Sequence, residues 1–142
     1  MAVNDAYITP SRFSVRLEGK QWDEFDSVTG MGVDIETVHL TKSKEGYQSI
    51  PGDARCRAIT LVRPFKKDPG FYDWFKETAE GKGKRKSGSI VFEDGNEKPI
   101  LTLEFTGAWP CSWAPPGGNK AGGSDLSKEV IRLEVDTLEL KK

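Results

Sequence analysis

The strongest constraint on the fold is a two-residue alternation in the last third of the chain. Residues 100–107 place Leu101, Leu103 and Phe105 on one side and Thr102, Glu104 and Thr106 on the other. Successive side chains of a strand point to opposite faces, so this is a half-buried strand. The corner Ala108-Trp109-Pro110 is expected to end it, because proline supplies no ladder donor. Val130 to Leu140 forms a second, longer strand. Its apolar phase is odd at Ile131, Leu133 and Val135 and even at Leu138 and Leu140, so a bulge or a change of sheet is expected at Asp136–Thr137.

The same pattern recurs upstream. Phe13, Val15 and Leu17 alternate with Ser14, Arg16 and Glu18, then Gly19-Lys20 reads as a tight turn and Gln21 to Phe25 as the return strand. Val33 to Leu40 extends again, with its apolar phase slipping from Val33 and Ile35 to Val38 and Leu40. Residues 41–55 are polar and carry Gly46, Pro51 and Gly52, which predicts a long loop between that strand and Cys56 to Arg63. Ser89 to Glu93 is a further strand, and Asp94-Gly95 is a hairpin turn signal. Residues 114–125, rich in glycine and proline, read as a loop.

One helix is predicted, over residues 69–80. Asp68 can cap it, Pro69 suits its first position and Gly81 its end. Phe71, Trp74, Phe75 and Thr78 form one stripe at helical spacing, suited to covering an open face of the sheets. These elements predict a mainly β protein: two packed antiparallel sheets, a β-sandwich or barrel, with one flanking α-helix. The 142 residues show no repeat and no second composition, which predicts a single domain over 1–142.

The chemistry is sparse. A formal net charge of −1 gives no field that would attract nucleic acid or an anionic membrane. Cys56 and Cys111 are far apart, a usage that fits a reducing compartment. The first residues lack a signal-peptide pattern, and no apolar run approaches the ~20 residues that span a bilayer, so synthesis and folding in the cytosol are expected. His39 is the single histidine, and with the two cysteines it does not make the closely spaced ligand pairs of a structural zinc site. No nucleophile, base and orienting carboxylate can be placed together, so no catalytic residue, metal or cofactor is expected. Lys82, Lys84, Arg85 and Lys86 are the one dense basic run and read as a solvated loop. Trp22, Trp109 and Trp113 could make a sugar-stacking platform, though tryptophans at strand ends more often pack in cores and interfaces.

Taken in order, several segments resemble the tube protein of contractile phage tails and extracellular contractile injection systems. They are Phe13-Ser-Val-Arg-Leu-Glu-Gly with Phe25-Asp-Ser-Val-Thr-Gly-Met, the polar loop ending Ile50-Pro-Gly, and Ile59-Thr-Leu-Val-Arg before the helix containing Trp74. Ile90-Val-Phe-Glu-Asp-Gly, Phe105-Thr-Gly-Ala-Trp-Pro and Val135-Asp-Thr-Leu-Glu-Leu complete the series, over roughly residues 12–140. The glycine-rich stretch 117–123 and the basic residues 82–86 depart from that pattern.

The resemblance implies a structural, non-enzymatic subunit whose strands extend into an oligomeric β-barrel ring. Six copies would make a ring, and rings would stack into a tube within a contractile sheath. The implied partners are further copies of the chain, a sheath protein, baseplate, spike and cap proteins, and cargo protein or DNA in the lumen, with no membrane insertion by the subunit. The lumen-facing sheet would come from residues 33–40, 56–63, 89–93 and 100–107. Tyr47, Ile50, Pro51 and Gly52 of the 41–55 loop would meet the adjacent ring. Assembly would take place in the cytoplasm. Two other readings stand beside it: a monomeric β-sandwich carbohydrate-binding module, and the ring-forming tube protein of type VI secretion.

Overall fold

A computed structural model describes residues 12–22, 25–40, 46, 48–65, 70–96, 98–117 and 128–141. The strands are β1 (Arg12–Leu17), β2 (Lys20–Trp22), β3 (Ser27–Thr29), β4 (Val33–His39), β5 (Ser49–Cys56), β6 (Ile59–Pro64), β7 (Lys86–Glu93), β8 (Pro99–Ala114), β9 (Lys128–Glu134) and β10 (Thr137–Lys141). The helix α1 spans Gly70–Ala79.

Seven strands follow the antiparallel path β2-β1-β7-β8-β9-β6-β3, and an eighth, β10, pairs with β8 off that path. The long β8 is the hinge of this path. Its first part pairs with β7 and β10, and its last part, Trp109 to Ala114, pairs with β9. The chain therefore folds back on itself as two sheets sharing one strand. Val15, Leu17, Ile90 and Phe105 from one sheet meet Ile59, Leu61, Ile131 and Leu133 from the other in a common core. Phe71 and Trp74 of α1 join that core, while Phe75 is half-buried.

Pro110 does not end the strand. It lies opposite Leu133, next to a register shift at Pro110/Ser112, where β8 has β9 as its one described neighbour. A missing amide donor is tolerated at such an edge. The bend falls instead at Gly107, whose φ of +65° favours glycine. A Cβ there would lie 2.0 Å from an Asp136 carboxylate oxygen. The apolar slip near Asp136 separates β9 from β10, which turn to opposite parts of β8.

The first turn sits one residue earlier than the sequence suggests. Glu18 and Gly19 have φ of +48° and +84°, the paired left-handed geometry that suits a two-residue hairpin, and Lys20 already belongs to β2. The β7–β8 turn is held by Asp94, whose Oδ1 accepts from the Asn96 and Lys98 amides. Gly81 ends α1 at φ +79°, with Lys82 N–H bonding to Glu77 C=O and Gly81 N–H to Thr78 C=O. The candidate cap Asp68 and Pro69 lie outside the described residues.

Candidate assembly surface

Strands β4 and β5 form a two-stranded sheet of their own, separate from the eight-stranded sheet. Every residue of β4 is exposed, and so is every residue of β5 except the half-buried Cys56. Val33, Ile35, Val38 and Ile50 are 44%, 61%, 39% and 46% exposed. Leu40, just beyond β4, is also exposed and bonds through its amide to the Gln48 carbonyl. An isolated two-stranded ribbon is marginal in water, and one with this much open apolar surface and, among the described residues, two unpaired edges is a template for association.

The expectation of a loop over residues 41–55 is corrected here: residues 49–55 are strand. Pro51 and Gly52 read as turn residues in sequence, but an edge strand tolerates the proline and a bulge takes the glycine. Ile50 lies opposite Val38 and Pro51 opposite Thr37, with Gly52 at the single register shift. Tyr47 lies outside the described residues.

The register determines which side chains share a face. Partners run Val33/Cys56, Asp34/Arg55 and Ile35/Ala54, then jump to Thr37/Pro51, Val38/Ile50 and His39/Ser49. Glu36 thus stands opposite both Gly52 and Asp53. A Cβ on Gly52 would sit 2.9 Å from Val38 Cγ2 and 3.4 Å from Glu36 Cβ, so Glu36, Val38 and position 52 share one face. That face carries Asp34, Glu36 and Arg55 near the body and Val38 and Ile50 toward the tip. The other carries Val33, Ile35, Ala54 and Cys56 near the body, then Thr37, His39, Ser49 and Pro51.

The ladder of the hairpin continues past the root of β4 and β5. Arg57 N–H bonds to the Gly32 carbonyl, and the Arg57 guanidinium grips Asp34 with two bonds of 2.8 Å. That hydrogen-bonded guanidinium holds the Asp34 carboxyl below its ordinary range. Gly30, at φ +83°, runs so close to the Ala58 carbonyl that a Cβ would come within 2.6 Å of it. Arg55 stands 3.8 Å from Glu36. Asp34 and Glu36 are therefore each paired within the chain.

Elsewhere the polar and aromatic groups are committed to structure. Trp113 donates to Glu129 at 2.7 Å and packs against Tyr72, with ring centroids 4.8 Å apart. Tyr72 thus covers part of that ring. Of the basic run, Arg85 pairs with Asp136 and Lys86 lies over the Trp74 ring. Burial raises the thiol pKa of both Cys56 and Cys111. No cluster of three His, Cys, Asp or Glu side chains suited to a metal occurs among the described residues. Among the described residues, no helix is long and apolar enough to cross a membrane.

A family model described as the T4-like virus tail tube protein gp19 matches residues 9–140. No curated protein sequence matches the chain. Several solved structures share the fold. A chain of the extracellular contractile injection system PVC sheath–tube complex in its extended state aligns with a TM-score of 0.84 at 22% identity, covering 95% of this chain and 92% of that one. A chain of the anti-feeding prophage tube-terminating cap aligns at 0.85 and 21% identity, covering 99% and 94%. Hcp1 from Flavobacterium johnsoniae aligns at 0.57 and 15% identity, covering 91% and 94%.

Proposed function

Because the chain belongs to the T4-like virus tail tube protein gp19 family, a structural family and not an enzymatic one, we propose that it assembles as hexameric rings that stack into the inner tube of a contractile particle. The observation that carries the proposal is the β4–β5 hairpin. Its strands form a sheet apart from the body, expose apolar side chains on both faces and, among the described residues, present two open edges. Joining six such hairpins edge to edge closes a barrel and removes those edges. A head-to-tail contact that closes by rotation makes a ring, and a second contact that stays open makes a filament.

In this reading the barrel encloses a channel for cargo protein or DNA. A sheath surrounds the tube, with baseplate and spike proteins at one end and a cap at the other. Subunits are made and assembled in the cytoplasm, and Tyr47, Ile50, Pro51 and Gly52 serve contact between rings. The contractile-particle branch is favoured over the type VI secretion branch by the higher structural similarity, 0.84 against 0.57. Negative-stain electron microscopy across a concentration series, with light scattering alongside, tests the assembly. Rings or hollow tubes of uniform width are expected. A strictly monomeric protein at every concentration would overturn the reading.

A further inference from the structure

We propose that α1 and the segment after it form a docking groove for another protein: a row of lysines leading to an apolar cavity, suited to an extended acidic segment with one aromatic anchor. The groove shares no residue with the β4–β5 hairpin. Sequence alone reads Lys82, Lys84, Arg85 and Lys86 as a solvated loop, but contacts with α1 fix this segment. The helix ends at Gly81, and the chain then runs back along it. Lys82 donates its amide to the Glu77 carbonyl, and Trp74 donates its indole N–H to the Lys84 carbonyl at 2.9 Å. Between them, Gly83 lies so close to the helix that a Cβ would come within 2.3 Å of Thr78 Oγ1. Lys86 then brings its ammonium over the Trp74 ring, 4.7 Å from its centre. A backbone held at these points fixes the stems of its cations in advance, which lowers the ordering cost of binding.

The cavity at the end of the row has a volume of about 190 Å³. Leu17, Phe71 and Trp74 give it an apolar lining, and Glu18, Lys20 and Lys86 line it as well. A cavity of about 150 Å³ is enough for a benzene-sized ring. Glu18 is the one carboxylate in the lining, and its Oε1 already accepts the Ser87 amide at 3.0 Å. Arg85 is committed to Asp136, whereas Lys82 and Lys84 point to no structural role and are exposed. Fixed cations beside an apolar cavity complement an occupant that is anionic and carries a ring. Acidic side chains meet the lysines, and a Phe or Trp fills the cavity. Nucleic acid meets only the charge. Its bases stack on open aromatic faces, and Trp74 is 5% exposed with Lys86 over its ring.

The test is fluorescence anisotropy of a fluorescein-labelled peptide, Asp-Glu-Asp-Phe-Glu-Asp-Glu, titrated with the full chain. Saturable binding is expected. A second peptide with Gly in place of Phe should bind about tenfold more weakly or worse, the effect of withholding one buried aromatic side chain. The variant Lys82→Glu/Lys84→Glu should lose about tenfold in affinity for the Phe peptide while keeping the wild-type circular dichroism and melting temperature. Unlabelled oligo(dT) at equal concentration should not displace the peptide. The peptide pair needs no variant, so that arm stands even if the substitutions disturb folding. Equal affinity for the two peptides overturns the proposal, as does a folded double variant that binds like wild type. Displacement by oligo(dT) overturns it too, since it marks a general polyanion surface, and so does a lack of binding at about 1 mM. Rings and tubes are scored separately by microscopy, so failure here leaves the assembly reading standing.

Discussion

Arg63 donates from Nε to Glu129 Oε1 at 2.6 Å, and the two side chains are 0% and 2% exposed. The pair joins β6 to β9, and Trp113 donates to the other Glu129 oxygen. The Arg63 guanidinium also lies 4.8 Å from the centre of the Phe71 ring, which ties the pair to α1. Removing one member leaves a buried charge without its counterion. Glu129→Ala is therefore expected to cost about 3–5 kcal/mol. The double variant Arg63→Met/Glu129→Leu should recover most of that loss, since apolar replacements fill the space without a charge to desolvate. Urea unfolding measures both. A Glu129→Ala loss under about 1 kcal/mol, the range of an exposed pair, would show that the pair is not part of the packed core.

Gly107 is where β8 passes from one sheet to the other, and it faces two separate obstacles to a side chain. Its φ of +65° alone costs an L-residue about 1–2 kcal/mol. The Asp136 carboxylate, within 2.0 Å of the Cβ position, adds a steric term. Gly107→Ala should thus destabilise by more than the backbone cost, and Gly107→Ala/Asp136→Gly should recover only the steric part. Unfolding of the single and double variants separates the two. Complete recovery in the double variant would mean that the backbone conformation carries no cost.

Much of the body was legible because burial and period coincide there. Ile59, Leu61, Ile131 and Leu133 alternate strictly and are all fully buried, so their strands could be read directly. The hairpin was harder because its residues are exposed in the subunit and its signals conflict. Pro51 and Gly52 carry turn chemistry, yet they serve an edge strand and a bulge that no local pattern distinguishes from a loop. The end of β8 was misplaced for a related reason. Pro110 is a strand breaker only where both ladder partners are present, and pairing with a single neighbour is a property of topology, not of sequence. The phase slip at Val33–Leu40 was visible, but its meaning required the register: the extra residue lies on β5, so β4 keeps the inversion.

The Arg57–Asp34 fork predicts a pH response at the hairpin root. The Asp34 carboxyl is held below the ordinary carboxylate range, first by the hydrogen bond from Arg57 and also by the guanidinium charge. Its folded-state pKa is therefore lower than the unfolded one. Whatever the fork adds to stability is present above the unfolded pKa and is lost as pH falls through the folded value. The expected result is a carboxyl 13C titration midpoint for Asp34 below 3.8, moving up toward that value in Arg57→Gln. Raised salt should shrink the difference, since both groups are exposed. An Asp34 midpoint that Arg57→Gln leaves unchanged would show that the fork does not persist in solution.

The helix stripe should not behave uniformly. Trp74 is 5% exposed, donates its indole N–H to the Lys84 carbonyl at 2.9 Å, and lies beneath the Lys86 ammonium. Trp74→Ala removes a large core ring and is expected to cost about 3–5 kcal/mol. Trp74→Phe keeps most of the apolar contact but deletes the donor, so a loss of about 1–3 kcal/mol is expected from the unmatched carbonyl and the lost volume. Phe75 shares the stripe but is half-buried, so Phe75→Ala should cost less than Trp74→Ala. Unfolding followed by circular dichroism ranks the three without relying on the fluorescence that Trp74 substitutions change. If Phe75→Ala proves as damaging as Trp74→Ala, burial in the single subunit does not set the helix's contribution, and Phe75 must be covered by another copy.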